Sequence, residues 1–243
     1  MSLIETCKIP DGCLSVVMPA FNEEKTIEQV IATVLVEPSV GELVIVDDAS
    51  IDGTAEVVKR LAAADSRIQF FQHEKNRGKG GALATGFEHV RLPIVIIQDA
   101  DAEYDPAEYN KLLAPICAGY ADVVFGSRFL GSGAHRVLYF WHYVANFILT
   151  LSSNVFTNLN LSDMECCYKV FRLETLRRIQ VKEQRFGVEP ELVAKVARLK
   201  VSVFEIGISY RGRTYDEGKK IGWKDAFRAL YVIVKYGVFR NAP

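Results

Sequence analysis

Short apolar runs alternate with helical patterns through the first half of this chain. The apolar runs cover residues 14–18, 42–46, 68–72, 94–97 and 123–125, and the helical patterns cover 23–35, 54–64 and 80–90. Parallel strands need crossover helices, so this alternation predicts an α/β fold with a mostly parallel central sheet flanked by helices. The second half predicts helices over 190–199 and 224–236 and a strand over 201–210.

Polar clusters follow three of the predicted strands directly. They are residues 19–23, Asp47–Asp48 and residues 99–103. Functional groups of open α/β sheets gather at the carboxyl ends of the strands. We therefore expect the three clusters to lie together on one edge of the sheet.

The third cluster carries the acidic side chains Asp99, Asp101 and Glu103. Mg²⁺ and Mn²⁺ prefer oxygen ligands, so Asp101 and Glu103 are candidate metal ligands. Asp99 is a candidate contact for a sugar nucleotide whose diphosphate the metal would bridge. An acidic turn or a helix N-cap is the alternative, because aspartate is favoured in both settings.

Two other segments favour a nucleotide ligand. Asp47 and Asp48 precede a predicted helix, where their carboxylates would accept hydrogen bonds from a base or ribose, although helix capping is the alternative. Residues 76–81 place Arg77 and Lys79 among glycines before a helix, a setting that suits a diphosphate. The sequence contains neither Gly-x-Gly-x-x-Gly in the turn after the first strand nor a Gly-x-x-x-x-Gly-Lys-[Ser/Thr] motif, which argues against dinucleotide-binding Rossmann and P-loop enzymes.

Charge is unevenly distributed along the chain. The 243 residues have a net charge of −1, but residues 177–243 carry 15 Lys and Arg against 7 Asp and Glu. We expect a phosphate-bearing substrate or an anionic membrane surface as partner, and no nucleic acid, because zinc-finger, RNP and recognition-helix signatures are absent. A solvated basic face is the alternative.

Residues 137–162 contain no Asp, Glu, Lys or Arg, yet Ser, Thr and Asn interrupt them too often for a transmembrane helix. His142, Asn146 and Thr150 recur every four residues, which predicts a helix with one polar stripe and an aromatic face. We assign residues 133–162 to an amphipathic segment at a membrane interface. Packing on the protein's own core, or on a second subunit in a homo-oligomer, is the alternative.

The N-terminal residues and the cysteines favour a cytoplasmic location. Residues 1–13 lack the basic and apolar regions of a secretory signal peptide. The five cysteines form no Cys-x-x-Cys pair, so we expect reduced thiols.

Four motifs occur in a characteristic order: VVMPAFNE at 16–23, VDDASIDGT at 46–54, NRGKG at 76–80 and DAD at 99–101. They resemble the successive signatures of family 2 inverting glycosyltransferases, in the dolichyl- or polyprenyl-phosphate mannose or glucose synthase branch. The resemblance runs from about residue 14 to residue 223. It implies a GT-A catalytic domain over residues 1–223, followed by a C-terminal amphipathic basic helix over 224–243.

The resemblance implies a nucleotide-sugar donor, with UDP and GDP both open, and Mg²⁺ or Mn²⁺ as cofactor. The residues implied for donor binding are Pro19, Phe21, Glu23, Asp47, Asp48, Arg77, Lys79, Asp99, Ala100 and Asp101. Asp101 is implied to ligate the metal. Glu103 stands where polyprenyl-phosphate mannose synthases commonly carry Gln, and a glutamate is the stronger ligand for a hard cation.

On the acceptor side, Gly126-Ser127-Arg128 resembles the family's arginine motif, and residues 211–221 resemble a basic loop that closes over diphosphate and acceptor. The loop is longer than the short version of the mannose synthases. The residues implied to bind acceptor phosphate or diphosphate are Arg128, Arg136, Arg213, Lys219 and Lys220. Asp99, Asp101 and Arg128 are the candidate catalytic residues.

The implied reaction moves a hexosyl group to a polyprenyl phosphate at the cytoplasmic membrane face. A phosphate monoester has a second pKa of about 6 and needs no strong base to attack the sugar. A saccharide hydroxyl acceptor would instead need a carboxylate base, for which Asp163 and Glu165 are candidates. A non-catalytic nucleotide-sugar-binding protein is the third alternative, which the intact Asp99, Asp101 and Glu103 disfavour.

Overall fold

A computed structural model of the protein describes residues 7–131, 136–137, 139–212 and 223–238. Its central sheet has the strand order β3-β2-β1-β4-β6-β5-β7. The strands are β1 (Leu14–Ala20), β2 (Val40–Asp47), β3 (Ile68–Gln72), β4 (Ile94–Ile97), β5 (Val123–Ser127), β6 (Lys169–Arg172) and β7 (Val203–Gly207). Only β6 is antiparallel to its neighbours, β4 and β5, among the pairings within these ranges. The predicted mostly parallel sheet is confirmed.

The helices are α1 (Ile27–Val36), α2 (Thr54–Ala64), α3 (Gly78–His89), α4 (Tyr109–Cys117), α5 (Phe140–Thr157), α6 (Leu173–Leu176), α7 (Val188–Leu199) and α8 (Trp223–Val238). Helix α2 has the predicted bounds. Helix α1 begins four residues later than predicted, because the Glu23 carbonyl accepts hydrogen bonds from Thr26 N and Ile27 N in a turn. The five cysteines are free thiols, as expected.

The centre of the sheet forms the core. Strand β4 and residues 14–18 of β1 are buried, and the apolar side chains of β2 between Leu43 and Val46 are fully covered. Such continuous apolar runs are typical of parallel strands that are covered on both faces. The burial of these strands fixes the positions of the turns that follow them.

Strand β6 and helix α4 were not predicted from the sequence. Lys169 and Arg172 lie at the two ends of β6. The apolar run between these charged residues is too short to predict a strand from the sequence. Helix α4 contains Pro115, a residue that breaks most helices, yet Tyr109, Leu112 and Ile116 are buried along it. Long-range packing thus outweighs the local signals in both elements.

Helix α5 places its predicted polar stripe inward and its apolar face outward. Asn146 and Thr150 are buried, whereas Trp141 is 75% exposed and Phe147 54% exposed. Helix α8 packs against α5 and α7. Among the described residues, no helix is both long enough and apolar enough to span a bilayer.

Candidate active site

Three turns meet at the carboxyl edge of the sheet, since β2, β1 and β4 are neighbours. Each turn contains a non-glycine residue with positive φ: Asn22 at 53°, Ala49 at 60° and Ala102 at 60°. Such backbone costs about 1–2 kcal/mol per residue and is typically retained where a site requires it. The strain therefore marks the same edge as the three polar clusters.

Asp47 and Asp48 have different environments at the end of β2. Asp48 accepts hydrogen bonds from Arg77 N (2.8 Å) and Gly78 N (2.6 Å), so its carboxylate holds the start of α3, and His73 Nδ1 lies 2.7 Å away. Asp47 Oδ2 accepts from Gln72 Nε2. Asp47 Oδ1 is buried without a hydrogen-bond partner in the described part of the chain, and it suits an N–H or O–H of a ligand.

The loop that carries Arg77 and Lys79 packs tightly against another segment. Gly78 has φ +76°, and a Cβ on Gly80 would lie 1.8 Å from the Glu183 carbonyl oxygen. Glycine is therefore required at position 78 by the positive φ and at position 80 by the contact with the Glu183 backbone. Arg77 remains exposed at the edge of the site.

The first and third turns are cross-linked by Thr26. Its hydroxyl donates to the Ala100 carbonyl (2.9 Å) and to Glu23 Oε2 (3.1 Å). Ala100 is buried, and Phe21 is 38% exposed on the same edge, after Pro19 at the end of β1. Most of the implied donor-binding residues are therefore brought together around the ends of β1, β2 and β4.

Asp99 belongs to a chain of alternating charges that runs into the core. Lys79 Nζ lies 2.9 Å from Asp99 Oδ1 and 3.0 Å from Glu189 Oε1, and Glu189 Oε2 accepts a hydrogen bond from Lys169. Burial disfavours the charged form of Lys79, but the negative charges of Asp99 and Glu189 outweigh it and raise the Lys79 pKa. Lys79 thus stays protonated beside Asp99.

Asp101 and Glu103 share the turn after β4. Glu103 N donates to Asp101 Oδ1 (3.3 Å), and Tyr210 OH donates to Glu103 Oε2 (2.7 Å). Within the described ranges, no three His, Cys, Asp or Glu side chains form a complete cation site. Two hard oxygen ligands nevertheless fit Mg²⁺ or Mn²⁺, because Mg²⁺ in particular is commonly held by one or two carboxylates together with waters and substrate phosphates.

Arg128 follows β5 and is paired with Asp163. Its Nε donates to Asp163 Oδ2 and its Nη2 to Asp163 Oδ1, both at 2.7 Å, and Nη2 also donates to Asn146 Oδ1 on α5 (3.1 Å). Burial opposes the ionisation of Asp163, but the charge and hydrogen bonds of Arg128 outweigh it and lower the Asp163 pKa. This carboxylate is therefore a weak base.

Glu165 has the opposite character two residues later. Its Oε1 is buried and has no hydrogen-bond partner among the described residues. Burial, reinforced by the negative charge of Glu189, raises the Glu165 pKa to about 7. Of the two candidate bases, only Glu165 has a pKa that suits proton transfer near neutral pH.

The remaining basic candidates lie beyond Arg128. Arg136 is exposed and donates through Nη1 to the Gly212 carbonyl (3.0 Å), at the start of the predicted basic loop. Arg213, Lys219 and Lys220 lie outside the described residues.

Sequence reasoning missed several residues that organise the site. Gln98 Oε1 accepts hydrogen bonds from Tyr109 OH and Tyr168 OH directly behind Asp99. Tyr210 contacts both sides of the site, because its ring centroid also lies 5.2 Å from the Arg128 guanidinium carbon. Glu189 gives little local signal beyond an acidic residue in the first turn of a helix.

Comparisons with known proteins identify the family of this chain. The model of glycosyl transferase family 2 matches residues 15–180, more than half of the chain. The chain is 26% identical over 212 residues to an undecaprenyl-phosphate mannosyltransferase of Micrococcus luteus, covering 85% of this chain and 86% of that protein. It is 25% identical over 252 residues to a dolichyl-phosphate beta-glucosyltransferase of Trichomonas vaginalis, covering 95% and 74%.

A solved structure shows the same fold. Glucosyl-3-phosphoglycerate synthase from Mycobacterium tuberculosis, in complex with Mn²⁺, UDP and phosphoglyceric acid, superposes with a TM-score of 0.71 at 20% identity, over 99% of this chain and 82% of that one. The predicted GT-A fold is thereby confirmed. The family match and the fold agree: the chain belongs to glycosyl transferase family 2 and is a glycosyltransferase.

Proposed function

We propose that this glycosyltransferase moves a hexosyl group from a UDP- or GDP-sugar to a polyprenyl phosphate. The observation that carries the proposal is the position of Tyr210, which hydrogen-bonds to the metal candidate Glu103 and stacks near the acceptor candidate Arg128. One side chain thus lies between the proposed donor side and the proposed acceptor side of the site. The mannosyl- and glucosyltransferase relatives, whose names specify undecaprenyl and dolichyl phosphate, support the same acceptor class.

Donor binding is assigned to the edge formed by β1, β2 and β4. The buried, unpartnered Asp47 Oδ1 suits a hydrogen-bond donor on the base or ribose. Asp101 and Glu103 would hold Mg²⁺ or Mn²⁺, which stabilises the negative charge of the departing nucleoside diphosphate. Asp99, oriented by Lys79, is assigned to the nucleotide-sugar contact.

Acceptor binding is assigned to Arg128, aided by Arg136. A phosphate monoester is mostly dianionic at neutral pH, so it attacks the anomeric carbon without a strong base. Arg128 orients this phosphate and offsets its charge, and its Nε and Nη2 bonds to Asp163 fix the guanidinium plane. Arg213, Lys219 and Lys220 are proposed to add positive charge from the basic loop.

A lipid acceptor also accounts for the exposed apolar surface of α5 and α8. We define the apolar surface as Trp141, Phe147, Leu151 and Val155 of α5, with Tyr231 and Val234 of α8, all exposed. Large exposed apolar patches mark protein or membrane contacts. We assign catalysis to residues 1–223 and peripheral contact with the cytoplasmic membrane face to 133–162 and 224–243.

We propose that two basic residues of α8 contribute less charge to that contact than the sequence alone suggests. Arg228 and Lys235 of α8 both form ion pairs with Glu183, at 2.5 and 3.0 Å. Their charges are thereby partly neutralised within the protein. We therefore propose that aromatic and aliphatic insertion provides most of the membrane affinity.

A saccharide hydroxyl is the second candidate acceptor, and Glu165 is the observation that favours it. Its pKa of about 7 suits a general base, which a hydroxyl acceptor needs and a phosphate acceptor does not. Glu165→Gln therefore separates the two functions. The variant keeps transfer to a phosphate acceptor and loses transfer to a hydroxyl acceptor.

The test is a panel of UDP- and GDP-sugars with Mg²⁺ or Mn²⁺ and three acceptors: a short polyprenyl phosphate, the same polyprenol without phosphate, and a saccharide. Product masses identify the donor sugar and the acceptor atom. Transfer to the phosphate alone, retained in Glu165→Gln, is expected. Transfer only to hydroxyl acceptors, or no transfer with any donor, contradicts the proposal.

A further inference from the structure

The Glu189 carboxylate contacts two lysines that serve different sides of the site. Its Oε1 lies 3.0 Å from Lys79 Nζ, and its Oε2 accepts from Lys169 Nζ. Glu189 is 3% exposed, and Lys169 is fully buried. Both contacts are therefore shielded from solvent. Charge interactions are stronger in the protein interior than in water.

The contact with Lys79 leads to the donor side. Lys79 Nζ also lies 2.9 Å from Asp99 Oδ1, so one ammonium group is shared between Asp99 and Glu189. Loss of the Glu189 oxygen from this position would let Lys79 move toward Asp99. The orientation of Asp99 toward the nucleotide sugar thus depends on Glu189.

The contact with Lys169 leads to the acceptor side. Lys169 Nζ donates to the carbonyls of Met164 (3.1 Å) and Cys166. These carbonyls flank Glu165 in the loop that also carries Asp163, the partner of Arg128. We call residues 163–168 the acceptor loop. Its shape thus depends on the same Glu189 carboxylate.

We infer that Glu189 is a positioning residue that sets the donor aspartate and the acceptor loop together, through Lys79 and Lys169. This inference rests on the proposed function and adds to it a residue that touches neither substrate. The role requires the length of the side chain as well as its charge, because one carboxylate must reach two ammonium groups on different elements.

Glu191 provides a matched control on the same helix. It is also fully buried, and it accepts hydrogen bonds from Lys182 N and Glu183 N and pairs with Lys195. None of these contacts involves Asp99 or the 163–168 loop. If a buried acid in α7 has only a structural role, shortening it should therefore have the same effect on KM at both positions.

The experiment compares Glu189→Asp with Glu191→Asp, which keep the charge and shorten the side chain. The readouts are the KM of the nucleotide sugar, the KM of polyprenyl phosphate, kcat and the thermal midpoint. Glu189→Asp is expected to raise both KM values by about five-fold or more, as the loss of a charge-assisted hydrogen bond predicts. Glu191→Asp is expected to change the thermal midpoint without changing the KM of polyprenyl phosphate.

Equal KM values in Glu189→Asp and wild type, or equal increases in both variants, overturn the inference while leaving the proposed function intact. A change in only one KM also overturns it, because Glu189 then serves one side alone. Wild-type protein that transfers no sugar to polyprenyl phosphate rejects the proposed function and the inference with it. The charge-neutral Glu189→Gln provides a second measurement, with larger KM increases expected.

Discussion

Arg128 and Asp163 form a two-point ion pair beneath the proposed acceptor side of the site, with Nε–Oδ2 and Nη2–Oδ1 both at 2.7 Å. The Asp163 side chain is fully buried, and that of Arg128 is 18% exposed. The pair fixes the guanidinium plane, so in its proposed acceptor role the arginine does not have to be ordered during binding.

Asp163→Asn is expected to lower the free energy of unfolding by about 3 kcal/mol and to reduce transfer strongly, because it leaves the largely covered guanidinium of Arg128 without its countercharge. Urea unfolding and turnover measure the two effects. Glu28→Gln is the control, since its ion pair with Arg60 is more than half exposed and contributes less than about 1 kcal/mol. Equal stability losses in the two variants would contradict the assignment.

The same carboxylate predicts an acid dependence. The Asp163 pKa is lowered in the folded state, so its contribution to stability is present above the ordinary aspartate pKa and is lost as the pH falls through the lowered value. Asp163→Asn should lack this part of the acid transition. Unfolding curves of both proteins between neutral and strongly acidic pH provide the comparison.

Asp101→Asn is expected to raise the Mn²⁺ concentration for half-maximal transfer by at least about ten-fold, since it weakens a ligand of the proposed metal site. Glu103→Gln should raise this concentration as well, because it makes the same carboxylate-to-amide change at the second candidate ligand. Asp105→Asn, in the same acidic segment but engaged with Ala107 N, is the control. An unchanged metal titration in Asp101→Asn would reject its role.

Glu165→Gln is expected to stabilise the protein at alkaline pH. Because the Glu165 pKa is raised to about 7, the folded state holds its proton more tightly than the unfolded state, and wild-type stability falls as the pH rises from the ordinary glutamate value to about 7. The variant should gain about 2 kcal/mol at about pH 8 and little at about pH 5.

Urea unfolding at both pH values measures that gain. The charged groups facing Glu165 are Glu189, Lys169, Arg128 and Asp163, and they are the same in both proteins. The exposed Glu174→Gln should show no comparable difference between the two pH values. A gain at acidic pH instead would contradict the assigned direction of the pKa shift.

Trp141→Ser combined with Phe147→Ser is expected to weaken binding to anionic vesicles containing polyprenyl phosphate by at least about ten-fold, because each inserted aromatic side chain contributes more than 1 kcal/mol of apolar burial. Co-sedimentation measures the bound fraction. Ile51→Ser is the control, as Ile51 is 92% exposed on the turn before α2. Wild-type protein that stays in solution would reject the membrane contact.

The positions of β1 to β4 and of the polar turns after them follow from local sequence patterns, since buried parallel strands must be continuous apolar runs. It also placed Asp47, Asp99 and Asp101 on one edge, because turns that follow neighbouring parallel strands meet there. Local patterns were sufficient for this half of the site.

The pairing of charges, in contrast, depends on the fold of the whole chain. Lys169 is a core residue because Glu189, 20 positions later, supplies its countercharge, and Arg128 is held by Asp163, 35 positions later. Helix α5 turns its polar stripe inward because Asn146 and Thr150 find partners in Arg128 and Met164 N. These choices depend on contacts between distant segments, for which a local pattern carries no signal.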